Sequence, residues 1–168
     1  MVLVALGIVL IGISLVSRFV RRGSGSPLAG KPAPEVTFLV AANRDGAKHL
    51  GIGELRGQPL LLDFWASWCG PCAAQAPILE RVHRRFSKDG LVVLGVNVDD
   101  PPEVARAYAE RKKLSYPMVV DERDEASKLY DVKSLPSLVL IDREGKVRAY
   151  WAGIVDEARL EEAVAEVM

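Results

Sequence analysis

The sequence is poor in cysteine, in histidine and in net charge, and each shortage excludes a class of protein. Its 168 residues include 2 cysteines and 2 histidines, too few for a disulfide-rich secreted scaffold and wrongly spaced for a zinc finger. The 22 basic residues balance 22 acidic ones, so the chain lacks the basic footprint of a nucleic-acid-binding protein. We therefore expect neither a nucleic-acid partner nor a metal site.

The first 20 residues form an almost uninterrupted apolar run. Between Met1 and Val16 the only polar side chain is that of Ser14. A helix of this length rises by about 1.5 Å per residue and spans roughly 30 Å, the hydrocarbon thickness of a bilayer. Unlike a core helix, the run has no polar face, and unlike a cleaved signal peptide it has no basic residue before it. We predict that residues 1–20 are an uncleaved transmembrane signal anchor of a single-pass membrane protein.

Two different segments follow the anchor. Residues 21–30 contain a Gly-Ser-Gly-Ser-Pro stretch and are predicted to be a flexible linker. Residues 31–168 have the length of about one domain. The arginines Arg18, Arg21 and Arg22 lie just after the apolar run, and the positive-inside tendency would keep that end of the anchor in the cytoplasm.

Short strands and helices alternate along the domain. The apolar runs at Leu60–Phe64 and Leu91–Val98 predict strands that are buried on both faces. Residues 71–87 have apolar side chains every three or four positions and predict an amphipathic helix, kinked at Pro77. Further strands are predicted over 35–40, 48–51, 118–120, 137–141 and 146–151, and further helices over 103–112, 125–130 and the segment after Asp156. This order predicts an α/β sandwich with a mixed sheet.

The two cysteines lie where a predicted strand leads into a predicted helix. Cys69 falls at the helix N-terminus, where unpaired backbone amides and the helix dipole favour a thiolate, and is the predicted nucleophile. Cys72 lies one turn further on, close enough to attack a mixed disulfide at Cys69 and release the substrate thiol. Gly70 and Pro71 fit the first helical turn. Redox chemistry explains the pair better than a structural disulfide, because so short a loop stabilises a fold little.

The stretch from Asp63 to Cys72, Asp-Phe-Trp-Ala-Ser-Trp-Cys-Gly-Pro-Cys, resembles the active site of thioredoxin. Four further motifs are similar to those of the membrane-anchored TlpA/ResA-like thiol-disulfide oxidoreductases: Gly-Lys-Pro-Ala-Pro at 30–34, Leu-Arg-Gly-Gln-Pro at 55–59, Val-Asn-Val-Asp at 96–99 and Ile-Asp-Arg-Glu-Gly at 141–145. The resemblance extends from about Gly30 to Val167. It implies a thioredoxin-like three-layer sandwich with a central mixed sheet and an insertion over 100–131, preceded by the N-terminal transmembrane helix.

The resemblance also implies a substrate-binding surface beside the cysteines. The Leu135-Pro136 peptide is implied to be a cis-proline turn that faces them and pairs its backbone with an extended substrate. The residues expected to bind substrate are Trp68, Gly70, Pro71, Leu135 and Pro136. From the residues alone, Pro136 is a proline at the start of a strand.

One acidic residue is implied to take part in the chemistry. In the TlpA/ResA pattern an acid commonly stands three residues after the second cysteine, where this chain has Gln75, whereas the strand carries Asp63, as thioredoxin does. The resemblance implies that Asp63 lies buried behind Cys72 and, with a pKa raised by desolvation, takes and returns the proton of that thiol. The alternative is a hydrogen-bonded aspartate at the edge of the strand.

The expected function is that of a thiol-disulfide oxidoreductase of the protein-disulfide reductase type. It would reduce or exchange disulfides of extracytoplasmic (periplasmic) proteins, including apocytochrome thiols in cytochrome c biogenesis, with a membrane reductant as electron donor. We expect no cofactor beyond the redox-active disulfide of Cys69 and Cys72. The alternatives are a non-catalytic tethered binding module or chaperone, and an anchored cytoplasmic thioredoxin. A thiol peroxidase would need a hydroxyl side chain three positions before the reactive cysteine, where this chain has Ala66.

Overall fold

The structure is a computed structural model that describes residues 27–168. The anchor predicted over 1–20 and most of the linker predicted over 21–30 lie outside the described residues. Within the part of the chain that the structure describes, no helix is long and apolar enough to cross a bilayer.

Strands and helices alternate along the described residues as the sequence predicts. The strands are β1 (Thr37–Ala42), β2 (His49–Gly51), β3 (Leu60–Trp65), β4 (Val92–Asn97), β5 (Met118–Val120), β6 (Ser137–Ile141) and β7 (Val147–Ala152). The α-helices are α1 (Gly70–Phe86), α2 (Pro102–Lys112), α3 (Glu125–Leu129) and α4 (Glu157–Val167). The predicted helix cap is confirmed, since the Asp156 carboxylate accepts from the Arg159 amide at 2.9 Å. Two short 3₁₀ helices, Ile52–Leu55 and Ser87–Asp89, were not predicted.

The strands form one seven-stranded sheet in the order β2-β1-β5-β4-β3-β6-β7. β4 runs parallel to both β3 and β5, whereas β6 runs antiparallel to β3 and to β7. Parallel neighbours need a crossover connection, and α1 and α2 supply the two crossovers. The predicted mixed sheet is therefore confirmed.

The inner strand β3 is buried along its whole length, because helices cover both faces of the sheet. Successive side chains of a strand point to opposite faces. The odd-numbered residues Leu61, Asp63 and Trp65 face the side covered by α1, α2 and α4, which we call the α1 face. The even-numbered residues pack with α3 on the other side, the α3 face. Each face encloses its own apolar cluster.

The head of α1 and the first described residues lie at opposite ends of the sheet. β3 and β4 run in parallel and end side by side at Trp65 and Asn97, and α1 begins close to this end. At the opposite end, where β3 begins, the amide of Gly30 donates to Val147 O and that of Ala33 to Gly145 O, both at 2.8 Å. The first described residues therefore meet the sheet at the pole opposite the cysteine pair.

Candidate active site

The cysteine pair lies where the sequence predicts, at the head of α1. Cys69 is the N-cap residue of the helix, and its Sγ accepts a hydrogen bond from the Cys72 amide at 3.1 Å. Pro71 occupies the first turn, where its lack of an N–H costs no helical hydrogen bond. The two sulfurs form a disulfide with an S–S distance of 2.04 Å. The N–H that binds Cys69 Sγ is one of the unpaired amides that favour a thiolate at this position.

A groove with a volume of about 560 Å³ runs beside the disulfide. Both cysteines are largely buried, Cys69 with 6% and Cys72 with 3% of its surface exposed, but Cys69 lines the groove and Cys72 does not. Trp68 forms the most prominent part of the wall, with 66% of its surface exposed. A substrate in this groove therefore meets Cys69 first.

Four of the five residues predicted to bind substrate line this groove. Gly70, Pro71 and Leu135 line it together with Trp68. The Leu135-Pro136 peptide bond is cis, as the resemblance implies. Pro136 itself is buried, and its carbonyl accepts a hydrogen bond from the Gly153 amide at 2.8 Å.

The remaining lining residues of the groove were not predicted to belong to the site, and they lie within and beside the insertion. They are Val98, Asp99, Asp124, Ser127, Val132, Lys133 and Ser134. They come from the ends of β4 and α3 and from the loop before β6. Val98 and Asp99 belong to the Val-Asn-Val-Asp motif, but no local pattern places them in the groove, because the order of the strands brings these residues together.

Asp63 lies at the middle of β3 on the α1 face, the face on which Cys72 packs. It is 3% exposed, and its Oδ1 has no hydrogen-bond partner among the described residues. Burial raises the pKa of Asp63 from 3.8 to about 7. The alternative of a hydrogen-bonded aspartate at a strand edge is wrong, because β3 has neighbours on both sides. Proton exchange with Cys72 stays a prediction.

Gly95 of β4, the register partner of Asp63, allows bulky side chains to close this region. A Cβ atom on Gly95 would lie 2.4 Å from Met118 Sδ and 3.2 Å from both Trp65 Nε1 and Tyr116 Cε2. These three side chains therefore occupy the space beside Asp63 that a larger residue in β4 would take. Their packing shields the carboxyl group from water, and this desolvation raises its pKa.

Gln75 has a structural contact that the sequence did not reveal. Its side chain is fully buried, and Oε1 accepts a hydrogen bond from the Val155 amide at 2.8 Å. Its Nε2 has no partner among the described residues. At the position where the TlpA/ResA pattern commonly has an acid, an amide thus ties α1 to the loop before α4.

The surroundings of the pair hold few groups for other chemistry. Ala66, three residues before Cys69, is fully buried and has no hydroxyl to bind a peroxide. Across residues 27–168, no cluster of three or more His, Cys, Asp or Glu side chains is placed to hold a metal ion.

Known proteins share both the sequence and the fold. Residues 29–150 match the AhpC/TSA family. The thiol-disulfide oxidoreductase ResA of Geobacillus kaustophilus (strain HTA426) is 32% identical over 132 residues, covering 79% of this chain and 74% of that protein. ResA of Geobacillus thermodenitrificans (strain NG80-2) is 30% identical over 138 residues, covering 82% and 77%.

A solved structure agrees with these relatives. A chain assigned as the thiol:disulfide interchange protein DsbE of Chlorobium tepidum superposes with a TM-score of 0.74 at 27% identity, covering 83% of this chain and 96% of that one. The similarity supports a thioredoxin-like α/β fold with a mixed sheet. These findings favour an enzyme over a non-catalytic binding module. The chain therefore belongs to the AhpC/TSA family, in which it is a TlpA/ResA-like thiol-disulfide oxidoreductase of the thioredoxin superfamily.

Proposed function

We propose that this chain is a membrane-tethered reductase for disulfides of extracytoplasmic proteins, in which Cys69 attacks the substrate and Cys72 resolves the intermediate. The observation that carries the proposal is the asymmetry of the pair. Both cysteines pack in the cluster on the α1 face, but Cys69 lines the groove beside the cis-proline turn and Cys72 does not. An extended polypeptide in the groove can therefore present a disulfide to Cys69 and not to Cys72.

The reaction begins with both cysteines reduced. The Cys69 thiolate attacks one sulfur of the substrate disulfide, which forms a mixed disulfide and releases the first substrate thiolate. Cys72 then loses its proton and attacks Cys69 Sγ, which forms the Cys69–Cys72 disulfide and releases the second substrate thiolate. Two electrons pass from the enzyme to the substrate. Asp63 is the proposed acceptor of the Cys72 proton, because a pKa of about 7 suits a base that works near neutral pH.

The residues between the cysteines favour reduction over oxidation. Gly70 and Pro71 carry no charged or imidazole side chain, so the helix terminus and its amides are left to stabilise the thiolate. We expect a reduction potential near that of thioredoxin, about −270 mV, and far from that of a strong oxidant, about −120 mV. Equilibration with glutathione and dithiothreitol buffers measures it, and a value near −120 mV would exclude a reductase.

The proposed substrates are protein disulfides, including those of apocytochromes before haem attachment. The groove is open, and the exposed Trp68 ring offers a broad apolar contact for a polypeptide next to Cys69. The resemblance to TlpA/ResA-like proteins supports the choice of apocytochrome thiols.

The proposed tether is the apolar segment 1–20. Because the first described residues meet the sheet at the pole opposite Cys69, a tether there would leave the groove accessible to protein partners. A membrane reductant is the proposed source of the electrons that reduce the disulfide after each turnover. The resemblance supports an extracytoplasmic domain, while Arg18, Arg21 and Arg22 favour the opposite orientation.

Two experiments test this function. Full-length protein in detergent should reduce insulin disulfides with dithiothreitol as donor, and Cys69→Ser should lose this activity; equal activity of the two proteins would rule out the proposed chemistry. For the topology, a reporter enzyme that is active only outside the cytoplasm is fused after Met168. Activity of this reporter supports the extracytoplasmic assignment. If instead a second reporter, one that works only in the cytoplasm, is active at the same position, the protein is an anchored cytoplasmic thioredoxin.

A further inference from the structure

Residues 97–100, at the end of β4 and in the loop after it, form a turn that the side chain of Asn97 stabilises with hydrogen bonds. Asn97 is fully buried, and its Oδ1 accepts hydrogen bonds from the amides of Asp99 at 3.2 Å and Asp100 at 2.7 Å. Asn97 Nδ2 donates to Asp100 Oδ2, also at 2.7 Å. The Asp100 carboxylate is thereby fixed in one orientation at the end of the sheet.

From this position Asp100 reaches the turn that precedes Cys69. Its Oδ2 accepts from the Ser67 amide and its Oδ1 from the Ser67 hydroxyl, both at 2.7 Å. The turn itself is closed by a hydrogen bond from the Cys69 amide to Ala66 O at 3.2 Å. One carboxylate therefore accepts from both hydrogen-bond donors of Ser67, which lies within that turn.

The Asp100 carboxylate stays charged at neutral pH. Burial alone would raise the pKa of Asp100, but hydrogen bonds from Asn97 and Ser67 outweigh this effect and hold the pKa below its ordinary value of 3.8. Other charged groups also surround Cys69. Asp99, Asp124 and Lys133 line the same groove, and Asp63 lies on the α1 face of β3. These groups are unchanged in every variant described below, so a comparison of the variants isolates the effect of Asp100 on the ionisation of Cys69.

We propose that Asp100 is a positioning residue for Cys69, which it keeps at the N-terminus of α1 by accepting hydrogen bonds from both the amide and the hydroxyl of Ser67. The disulfide fixes Cys69 in the oxidised protein, but in the reduced protein that covalent link is gone. The turn then has to hold Cys69 Sγ where the Cys72 amide can stabilise the thiolate. This inference rests on the proposed role of Cys69 as the attacking thiol.

The test measures the fraction of Cys69 that is thiolate, from the pH dependence of alkylation by iodoacetamide. It uses reduced full-length protein in a Cys72→Ala background, so that Cys69 is the only thiol. Asp100→Ala should lower the thiolate fraction at pH 7 about two- to fivefold, the size of a helix-terminus effect. The alkylation rate at a pH where the thiol is fully ionised should stay the same. The matched control is Asp142→Ala, which removes a carboxylate bound to the Lys146 amide at the opposite pole and should leave the fraction unchanged.

A second variant separates position from charge. Asp100→Asn keeps the shape and one acceptor oxygen but removes the negative charge. If Asp100 positions the turn, the thiolate fraction of this variant should lie between those of the wild type and Asp100→Ala. A fraction equal to or above that of the wild type in Asp100→Ala would overturn the proposal, because it would show that the carboxylate either does nothing or merely repels the thiolate.

The proposal can still be tested if the Asp100→Ala variant misfolds. If Asp100→Ala fails to fold, Ser67→Ala deletes only the hydroxyl bond to Asp100 Oδ1 and should still lower the thiolate fraction measurably; an unchanged fraction contradicts the proposal. Insulin reduction by the wild type is measured in parallel. Its failure counts against the proposed function, whereas the thiolate fractions decide the role of Asp100.

Discussion

The two faces of β3 differ in how well their buried polar atoms are paired. On the α3 face, Leu60, Leu62 and Phe64 pack in an apolar cluster, and the hydroxyl of neighbouring Tyr130 donates to Pro34 O at 2.8 Å. The α1 face and its helices carry all the buried side-chain atoms that lack a partner among residues 27–168. They are Asp63 Oδ1, Trp65 Nε1, Gln75 Nε2, His83 Nδ1, Tyr108 OH and Trp151 Nε1.

This difference in hydrogen-bond pairing indicates that the two faces have different roles in the protein. Each unsatisfied buried polar group costs about 1–3 kcal/mol, and such groups gather on the face that encloses Cys72. The α3 face contributes apolar burial without this cost. We conclude that the α3 face mainly stabilises the sheet, whereas the α1 face, on which the cysteine pair packs, keeps a titratable carboxyl group in a desolvated setting.

The largest expected effect comes from damage to the α3 face. Leu62 is fully buried there, so Leu62→Ala should lower the free energy of unfolding by about 2–5 kcal/mol through lost burial and a cavity. The folded fraction should resolve mixed disulfides at the wild-type rate. Urea unfolding of the oxidised protein and stopped-flow exchange kinetics measure the two quantities. A slowed resolution step would show that the two faces are not separable.

The next effect is a pH dependence of stability caused by Asp63. Its pKa is about 7 in the folded protein against 3.8 ordinarily. Below pH 4 the group is protonated in both states, and between pH 4 and pH 7 only the unfolded chain loses the proton. The stabilisation present at low pH is therefore lost as the pH rises through about 7, by about 4 kcal/mol at 1.36 kcal/mol per pKa unit.

The variant Asp63→Asn isolates this contribution. It removes the titrating group and nearly keeps the side-chain shape, so the decline between pH 4 and pH 7 should shrink by about 4 kcal/mol, and the variant should be the more stable protein at pH 8. Urea unfolding of both oxidised proteins at pH 4, 6 and 8 measures this. If the free energy of unfolding of the two proteins varied with pH in parallel, Asp63 would lie in a solvated environment with an ordinary pKa.

A smaller effect is expected on the chemistry of the same variant. Asp63→Asn should slow resolution of the mixed disulfide by roughly 10- to 100-fold at neutral pH, because Cys72 loses its proton acceptor. The wild-type rate should rise with pH through about 7, whereas the rate of the variant should lack this step. Unchanged kinetics would make Asp63 a structural residue and assign the proton to water or another group.

The smallest expected effect comes from an acid at position 75, three residues after Cys72, where this chain has a glutamine. Gln75→Glu in the Asp63→Asn background should restore the resolution rate in part, several-fold at most, because a carboxylate returns to the α1 face within general-base range. Its oxygen can still accept from the Val155 amide. Gln75→Leu, which removes that acceptor without adding a base, is the control and should restore nothing. Equal rates in the two double variants would contradict the effect.

The sequence predicts the fold well wherever the signal is local. Each predicted strand and helix lies within two residues of its observed position, because apolar periodicity and capping residues are properties of neighbouring residues. The Cys69–Cys72 pair was placed by a short motif, and the Leu135-Pro136 turn by the resemblance. Burial of Asp63 followed from the resemblance and also fits its position in an apolar run that is covered on both faces.

The parts of the site that the sequence missed depend on long-range contacts. Gln75 and Val155 are 80 residues apart, and Ser67 and Asp100 are 33 residues apart. Such pairs meet only because the strand order puts the ends of β3 and β4 side by side and brings the loop before α4 against α1. The groove residues that follow β4 and precede β6 come together for the same reason. No spacing rule along one chain reveals these contacts.

The most direct test of the central claim is to trap the mixed disulfide. Full-length Cys72→Ala and Cys69→Ala proteins are reduced, mixed with a peptide that contains one disulfide, quenched with acid and analysed by peptide mass spectrometry. Because only Cys69 reaches the groove, Cys72→Ala should accumulate a mixed disulfide at Cys69, whereas Cys69→Ala should form none on the same timescale. An adduct that forms as fast at Cys72, or none at Cys69, would contradict the account.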